Sequence, residues 1–196
     1  PLAAAFSPDG AFAYVTHNGR KRVDVVDVAS GSIAQTLPYQ AYRGVAAHAD
    51  GQHVFLAGTS GQLVRLVRQA DGTLSEDASW PFVGFLSTLA ISPGGTWLYL
   101  VSNSNSRVWQ IDPATGDVHG ELSAQVYPYG IAVAPDETTV YVSNAGGDDV
   151  SVLDFAAGEE VAVVPVDLNP MGLALAADGA ALFVANSDAD SISVID

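Results

Sequence analysis

The sequence predicts an all-β fold made by repeating one small antiparallel sheet, and three observations carry that reading. An aspartate or glycine recurs at Asp9, Asp50, Gly94, Asp136 and Asp178, about every 42 residues, and periods of roughly 20–50 residues mark solenoids, propellers and arrays. Each marker is followed five positions later by an aromatic, Tyr14, Phe55, Tyr99, Tyr141 or Phe183, and eighteen positions later by Asp27, Arg68, Asp112, Asp154 or Asp196. Gly31, Gly72, Gly116 and Gly158 keep the same register four positions further on. The segments between these landmarks are apolar runs of strand length joined by Gly, Asp, Asn and Ser turns, with no window of helical apolar spacing.

The fourth copy shows the unit. Residues 130–135 are a first apolar run, Asp136, Glu137 and Thr138 a turn, 139–143 a second run and 144–149 a polar loop. Residues 150–153 alternate Val, Ser, Val, Leu as a third strand, and 160–166 supply a valine-rich fourth in which Pro165 fits only a sheet edge. First strands such as 131–134 and 173–177 are apolar on both faces, so both faces of the sheet must be covered. Sheets packed face to face around an axis do this, and the shortage of space at the axis explains first strands rich in Ala and Gly. The segments 2–7, 44–49, 89–92, 131–134 and 173–176 are therefore expected to be innermost. The predicted architecture is a β-propeller of four-stranded antiparallel blades, about 42 residues each, with four complete blades and three strands of a fifth. It forms one domain over 1–196, with repeats near 1–41, 42–85, 86–127, 128–169 and 170–196. A chain that opens on Pro1 and stops after the third strand of its fifth copy reads as a piece of a longer propeller, or as a ring completed by another molecule. Its open blade edge is a place for self-association.

Composition narrows the partners. The formal net charge is −15, and all seven basic residues lie at or before Arg107. A surface so acidic repels phosphate backbones and anionic lipids, so nucleic acid is not expected as a partner. No apolar run approaches a membrane span, and no membrane insertion is expected. There is no Cys, hence no disulfide framework and no thiolate for metal or catalysis. No Gly-x-Ser-x-Gly elbow or Ser, His and Asp signature for nucleophilic catalysis is present.

Blade-joining loops and the loops between second and third strands fall on one face of a propeller, and that face gathers aromatics, amides and cations. The ligand-binding candidates there are His17, Tyr42, Arg43, Tyr127, Tyr129 and Asn144, with Arg43 suited to a carboxylate and the aromatics to a planar or sugar ring. No catalytic residue and no metal ligand is assigned. The loops at Asn144, Asp148 and Asp149 and at Asn186, Asp188 and Asp190 space oxygens as a Ca²⁺ loop does, but neither has the downstream bidentate Glu. No cofactor is therefore expected; the side chains should bond their own loop backbone, with Ca²⁺ the alternative. The four histidines, His17, His48, His53 and His119, show no metal-ligand spacing, and only His17 reaches this face.

The segments Tyr14-Val15-Thr16, Tyr141-Val142-Ser143-Asn144 and Phe183-Val184-Ala185-Asn186, with Ser7-Pro8-Asp9-Gly10 before the first and Val150-Ser151-Val152-Leu153-Asp154 after the second, resemble the YVTN β-propeller repeat over the whole chain. The resemblance implies a surface-layer or periplasmic propeller, located in the periplasm or at the cell surface, and such rings usually close with seven blades. The second copy departs most, with Arg68 for Asp and Gly58 where Asn or His stands elsewhere. The turn Ala70-Asp71-Gly72-Thr73-Leu74 resembles one in 6-phosphogluconolactonase-like propellers. The leading reading is a non-catalytic, exported binding or structural module for an unidentified protein or small molecule. A lactonase-like hydrolase and a cofactor-bearing oxidoreductase subunit are its rivals.

Overall fold

The computed structural model describes residues 1–17, 21–40 and 42–196; the side chains of residues 40, 42 and 43 lie outside that description. The described residues form five antiparallel sheets and no helix. The first contains β1 (Ala3–Phe6), β2 (Phe12–Thr16), β3 (Lys21–Asp27) and β4 (Ser32–Gln40). The second contains β5 (Tyr42–Ala47), β6 (His53–Gly58), β7 (Gln62–Arg68) and β8 (Leu74–Pro81). The third contains β9 (Leu86–Ile91), β10 (Leu98–Ser102), β11 (Arg107–Ile111) and β12 (Val118–Ser123). The fourth contains β13 (Pro128–Val133), β14 (Thr139–Asn144), β15 (Asp149–Asp154) and β16 (Glu159–Pro165), and the fifth β17 (Pro170–Leu175), β18 (Leu182–Asn186) and β19 (Ser191–Ile195). Strands follow one another in sequence order across every sheet, so the connections within each sheet are hairpins. This is the bladed, all-β architecture that the repeat predicts.

The recurring landmarks are turn chemistry. At the first turn of a blade an Asp side chain accepts hydrogen bonds from N–H groups two or three positions ahead: Asp9 from Ala11 (3.0 Å), Asp50 from Gln52 (2.8 Å), Asp136 from Thr138 (2.9 Å), Asp178 from Ala180 (3.1 Å). Gly94 has no side chain to do this, and its N–H instead donates to the Glu137 carboxylate of the next blade. Tyr99 Oη donates to the Glu137 carbonyl at 2.6 Å, so one residue holds two parts of the preceding blade. At the last turn Asp27, Asp112 and Asp154 cap the N–H groups of Ser30, Ala114 and Ala156. The glycine that closes this turn has a left-handed backbone, as at Gly158 (φ 77°), which a side chain would strain. Arg68 breaks the pattern and reaches across instead, donating to Asp9 at 2.9 Å.

Two compact units divide the chain, Pro1–Leu89 and Ala90–Asp196. In the first, Tyr14, Val23, Val25 and Leu37 of one sheet pack on Val54, Leu56, Val64, Leu66 and Leu74 of the next. A reciprocal amide clamp joins the same pair: Gln35 Nε2 donates to the Leu74 carbonyl (2.9 Å) and Leu74 N–H to Gln35 Oε1 (2.7 Å). In the second unit Tyr99, Val101 and Val108 meet Val140, Val142 and Leu153, and Val150 meets Leu182 and Val184. The repeating aromatic is buried in the first three blades, as Tyr14, Phe55 and Tyr99, whereas Phe183 of the fifth sheet is 44% exposed. Each such buried side chain contributes about 1.5–3 kcal/mol through burial. The close approach expected of first strands is visible at Gly130, where a Cβ would collide with the Met171 carbonyl oxygen of the following blade. Fourth strands are sheet edges and largely exposed, β16 among them, which accommodates Pro165.

Candidate functional site

In the first unit, the loop end of β2 and β3 holds a charged cluster. Asp24 is 3% exposed although it carries a carboxylate, so its partners must supply what water would. Arg22 Nε donates to both carboxylate oxygens at 2.8 Å, Thr36 Oγ1 donates to Oδ1 at 2.7 Å, and His17 Nε2 lies 2.9 Å from Oδ2. Burial raises the Asp24 carboxyl, but the hydrogen bonds from Arg22 and Thr36, the Arg22 charge and His17 outweigh it and hold the group below the usual carboxylate range. A carboxylate only accepts, so His17 Nε2 carries the proton and Nδ1 is the ring's basic atom. The arrangement is a histidine oriented by a buried acid, the pairing used by a general base.

The second unit's loop end is built from amides and acids. Asn144 ends β14, is fully buried, and uses Nδ2 twice, donating to Asp149 Oδ1 (2.7 Å) and Ser151 Oγ (2.9 Å). One repeat later Asn186 donates to Ser191 Oγ (3.1 Å) and Ser193 Oγ (2.9 Å). The Oδ1 atoms of both have no partner among the described residues. The expectation that these side chains bond their own loop backbone is thus replaced by buckles from β14 to β15 and from β18 to β19, because the hairpin register puts third-strand polar atoms within reach. Above the first buckle Tyr127 has a left-handed backbone (φ 58°), its carbonyl accepts from Ala145 N–H (3.0 Å), and its side chain is 51% exposed. Asn169 (φ 54°) repeats this before Pro170 and adds two bonds: its N–H donates to Asp148 Oδ1 (2.9 Å) and its Nδ2 to Asp188 Oδ1 (3.0 Å).

Of the six residues read as a binding face, Tyr127 and Asn144 lie at one loop end of the second unit, with Tyr129 partly buried beside them in β13. His17 belongs to the first unit, and the side chains of Tyr42 and Arg43 lie outside the described residues. Sequence reading placed Asp148 in this loop but missed Asn169, its partner, although the matching Tyr127-Pro128 and Asn169-Pro170 pairs, one repeat apart, were the available signal. His48 and His53, which flank the first turn of the second blade and lack metal-ligand spacing, nevertheless meet on one atom: His48 Nδ1 lies 3.0 Å and His53 Nδ1 2.6 Å from Asp50 Oδ2. A β-turn, not a helical or hairpin-loop spacing, makes that contact. Among the described residues no group of three or more His, Cys, Asp or Glu could hold a metal ion.

A family model described as Lactonase, 7-bladed beta-propeller matches residues 88–196. The chain belongs to this lactonase propeller family. The matched segment contains Tyr127, Tyr129 and Asn144 but not His17, Tyr42 or Arg43. A search of curated proteins found no match. Among solved structures, Kuenenia stuttgartiensis hydrazine synthase superposes with a TM-score of 0.64 at 18% identity, over 98% of this chain and 82% of that one. At that identity the likeness bears on fold alone, and it agrees with the bladed sheets of this lactonase-family propeller.

Proposed function

We propose that this propeller is a non-catalytic binding module that takes a small molecule or protein ligand at the loop end carrying Tyr127, Tyr129 and Asn144. The observation that carries the reading is the Asn144 buckle beneath an exposed, left-handed Tyr127. A buried carbonyl without a donor costs about 1–3 kcal/mol, and a residue held in the left-handed region stores strain that the surroundings must over-determine. Asn144 ends strand β14 and Tyr127 is the loop residue immediately before β13, so a paired-strand scaffold positions both, the setting in which a site is pre-organised. The ligand this arrangement favours has a flat apolar face, such as a sugar ring, since Tyr127 offers an exposed aromatic ring above the Asn144 buckle. Export to the periplasm or cell surface goes with the YVTN resemblance, and fractionation of the native host tests it. The binding test is a titration of monosaccharides and oligosaccharides followed by tyrosine fluorescence and amide shifts. Shifts centred on residues 126–130 and 144–148, weakened at least tenfold in Tyr127→Ala, are expected; turnover of the added compound, or shifts confined elsewhere, overturns the reading.

A second reading, lactone hydrolysis, is favoured by family membership together with the His17–Asp24 pair. His17 Nδ1 would take a proton from a water attacking the lactone carbonyl, with Asp24 holding the ring. A panel of sugar lactones assayed by acid release separates the two. Hydrolysis that falls about 10²–10⁴-fold in His17→Ala establishes the second; equal rates in both proteins remove it.

A further inference from the structure

The loop end of the fourth and fifth blades carries more apolar surface than a single aromatic ring. Val126 is 61% exposed, Tyr127 51% and Leu168 56%. The hairpin tip after β14 ties their two loops together. Gly146 N–H donates to the Val126 carbonyl (3.1 Å) and Ala145 N–H to that of Tyr127 (3.0 Å), while Asp148 accepts Val166 N–H at its carbonyl (2.9 Å) and Asn169 N–H at Oδ1 (2.9 Å). Both loop backbones are thus turned to the tip, and their side chains are left in solvent. Gly146 permits the close fit, since a Cβ there would stand 2.9 Å from Val126 Cγ1. We propose that this surface docks a basic segment of a partner protein, in which lysines or arginines are interleaved with aliphatic or aromatic side chains.

The openness belongs to the repeat position. Val126 and Leu168 stand one repeat apart and make the same bond, each carbonyl accepting from the tip of the following hairpin, Gly146 N–H at 3.1 Å and Asp188 N–H at 3.3 Å. Val126 lies between two four-stranded sheets with the fifth sheet beyond, and it is the more exposed of the two. Single exposed apolar side chains are ordinary, but three on loops joined by one hairpin tip mark a contact surface. Charge selects the partner. Asp167 and Asp188 are exposed and Asp148 and Asp149 half-buried on the same loops, and no Lys, Arg or His occurs between residues 120 and 196 to oppose them. The groups that donate to these carboxylates, on Asn144, Asn169 and Ser191, are neutral. A nucleic acid or an anionic membrane is repelled. A neutral sugar gains nothing from the charges, and a small amine leaves the apolar side chains bare. A peptide that carries both kinds of side chain uses both. The proposal rests on the reading of this loop end as a binding face and names its partner.

The test is calorimetry and amide-shift mapping of the full chain with three peptides of one length: Lys-Leu-Lys-Tyr-Lys-Leu-Lys, the same peptide with Glu for Lys, and the same with Ser for Leu and Tyr. The expected result is saturable binding of the first, at least tenfold weaker binding of the third and none of the second. Shifts should fall at residues 126–127, 145–148 and 166–169, and affinity should drop as sodium chloride is raised. Leu168→Ser, at an exposed position that should fold normally, weakens the first peptide several-fold. Asp167→Asn combined with Asp188→Asn keeps an oxygen for Ser191 and Asn169, and should weaken it at least tenfold while flattening the salt dependence. Glu159→Gln, at an exposed acid of β16 outside these loops, leaves it unchanged. Equal binding of the serine peptide, an equal loss in Glu159→Gln, or shifts spread over the acidic surface overturns the proposal. A sugar that binds at these residues while the lysine peptide does not also overturns it and leaves the binding face standing; binding of neither removes both.

Discussion

Tyr99 shows how a polar atom is kept between packed blades. The residue is fully buried, its hydroxyl donates to the Glu137 carbonyl, and it accepts from Gln110 Nε2 at 2.8 Å. Burial pushes the phenol from its ordinary value of 10.0 up to about 12, despite the Gln110 bond and with help from Asp136 and Glu137. The neutral phenol is the favoured form, so the stability it lends is present below pH 10 and is lost as pH rises from 10 through about 12. Tyr99→Phe should cost about 1–3 kcal/mol at neutral pH, since the Glu137 carbonyl and the buried Gln110 amide lose their partner. Urea titration measures the loss, and repeating it at high pH should show the difference shrinking. Asp50 gives the opposite case. Burial raises its carboxyl, yet the His53 ring, the Gln52 and His53 N–H groups and the His48 charge bring it down to about 2 from 3.8. Its contribution is complete above pH 3.8 and disappears as pH falls through about 2. Asp50→Asn should therefore melt below the wild type at pH 6 and together with it near pH 2. The turn role of Asp50 was legible from its place in the repeat. The meeting of His48 and His53 on it was not, because sequence spacing says nothing of which rotamers converge over a turn.

At the scale of strands and turns, the repeat register locates every hairpin but not every strand end. The fourth and fifth first strands were read as 131–134 and 173–176 and are Pro128–Val133 and Pro170–Leu175. Both begin at a proline and cross a register shift, between Pro128 and Ile131 and between Pro170 and Gly172. A proline followed two positions later by glycine reads as a loop, whereas here the proline opens the strand and the shift absorbs the extra residue. The last turn of each blade is a more predictable device. Gly158→Ala places a side chain at φ 77°, in open space, so only the backbone term is felt. A loss of about 1 kcal/mol in a denaturant titration is expected. Between sheets the cost is larger: Leu182 packs with Val150 and Val184, and Leu182→Ala should remove about 2–5 kcal/mol.

Across the whole molecule, charge is the property that sequence states best and geometry distributes. With 22 acidic and 7 basic residues, and the basic ones confined to the first 107 positions, self-repulsion opposes the folded state at low ionic strength. Raising sodium chloride from about 10 to 150 mM, which shortens the screening length from about 30 to 8 Å, should raise the melting temperature by a few degrees. No change on such a scan would mean that the acids are already locally compensated. The bladed fold was readable because one unit recurs five times. The proposed binding face was readable only in part: register tells where in a blade a residue lies, but Asn144 and Asn169 bond to partners that neither composition nor spacing reveals. Glu137 has a further consequence for exchanging blades. The third blade carries Gly94 where the other first turns carry an Asp, and its Gly94 N–H and Tyr99 hydroxyl both bond to Glu137 of the following blade. A replacement for residues 128–169 that lacks a carboxylate at this position would leave the Gly94 N–H without this partner, and one whose turn takes another path would also withdraw the backbone acceptor from a buried phenol.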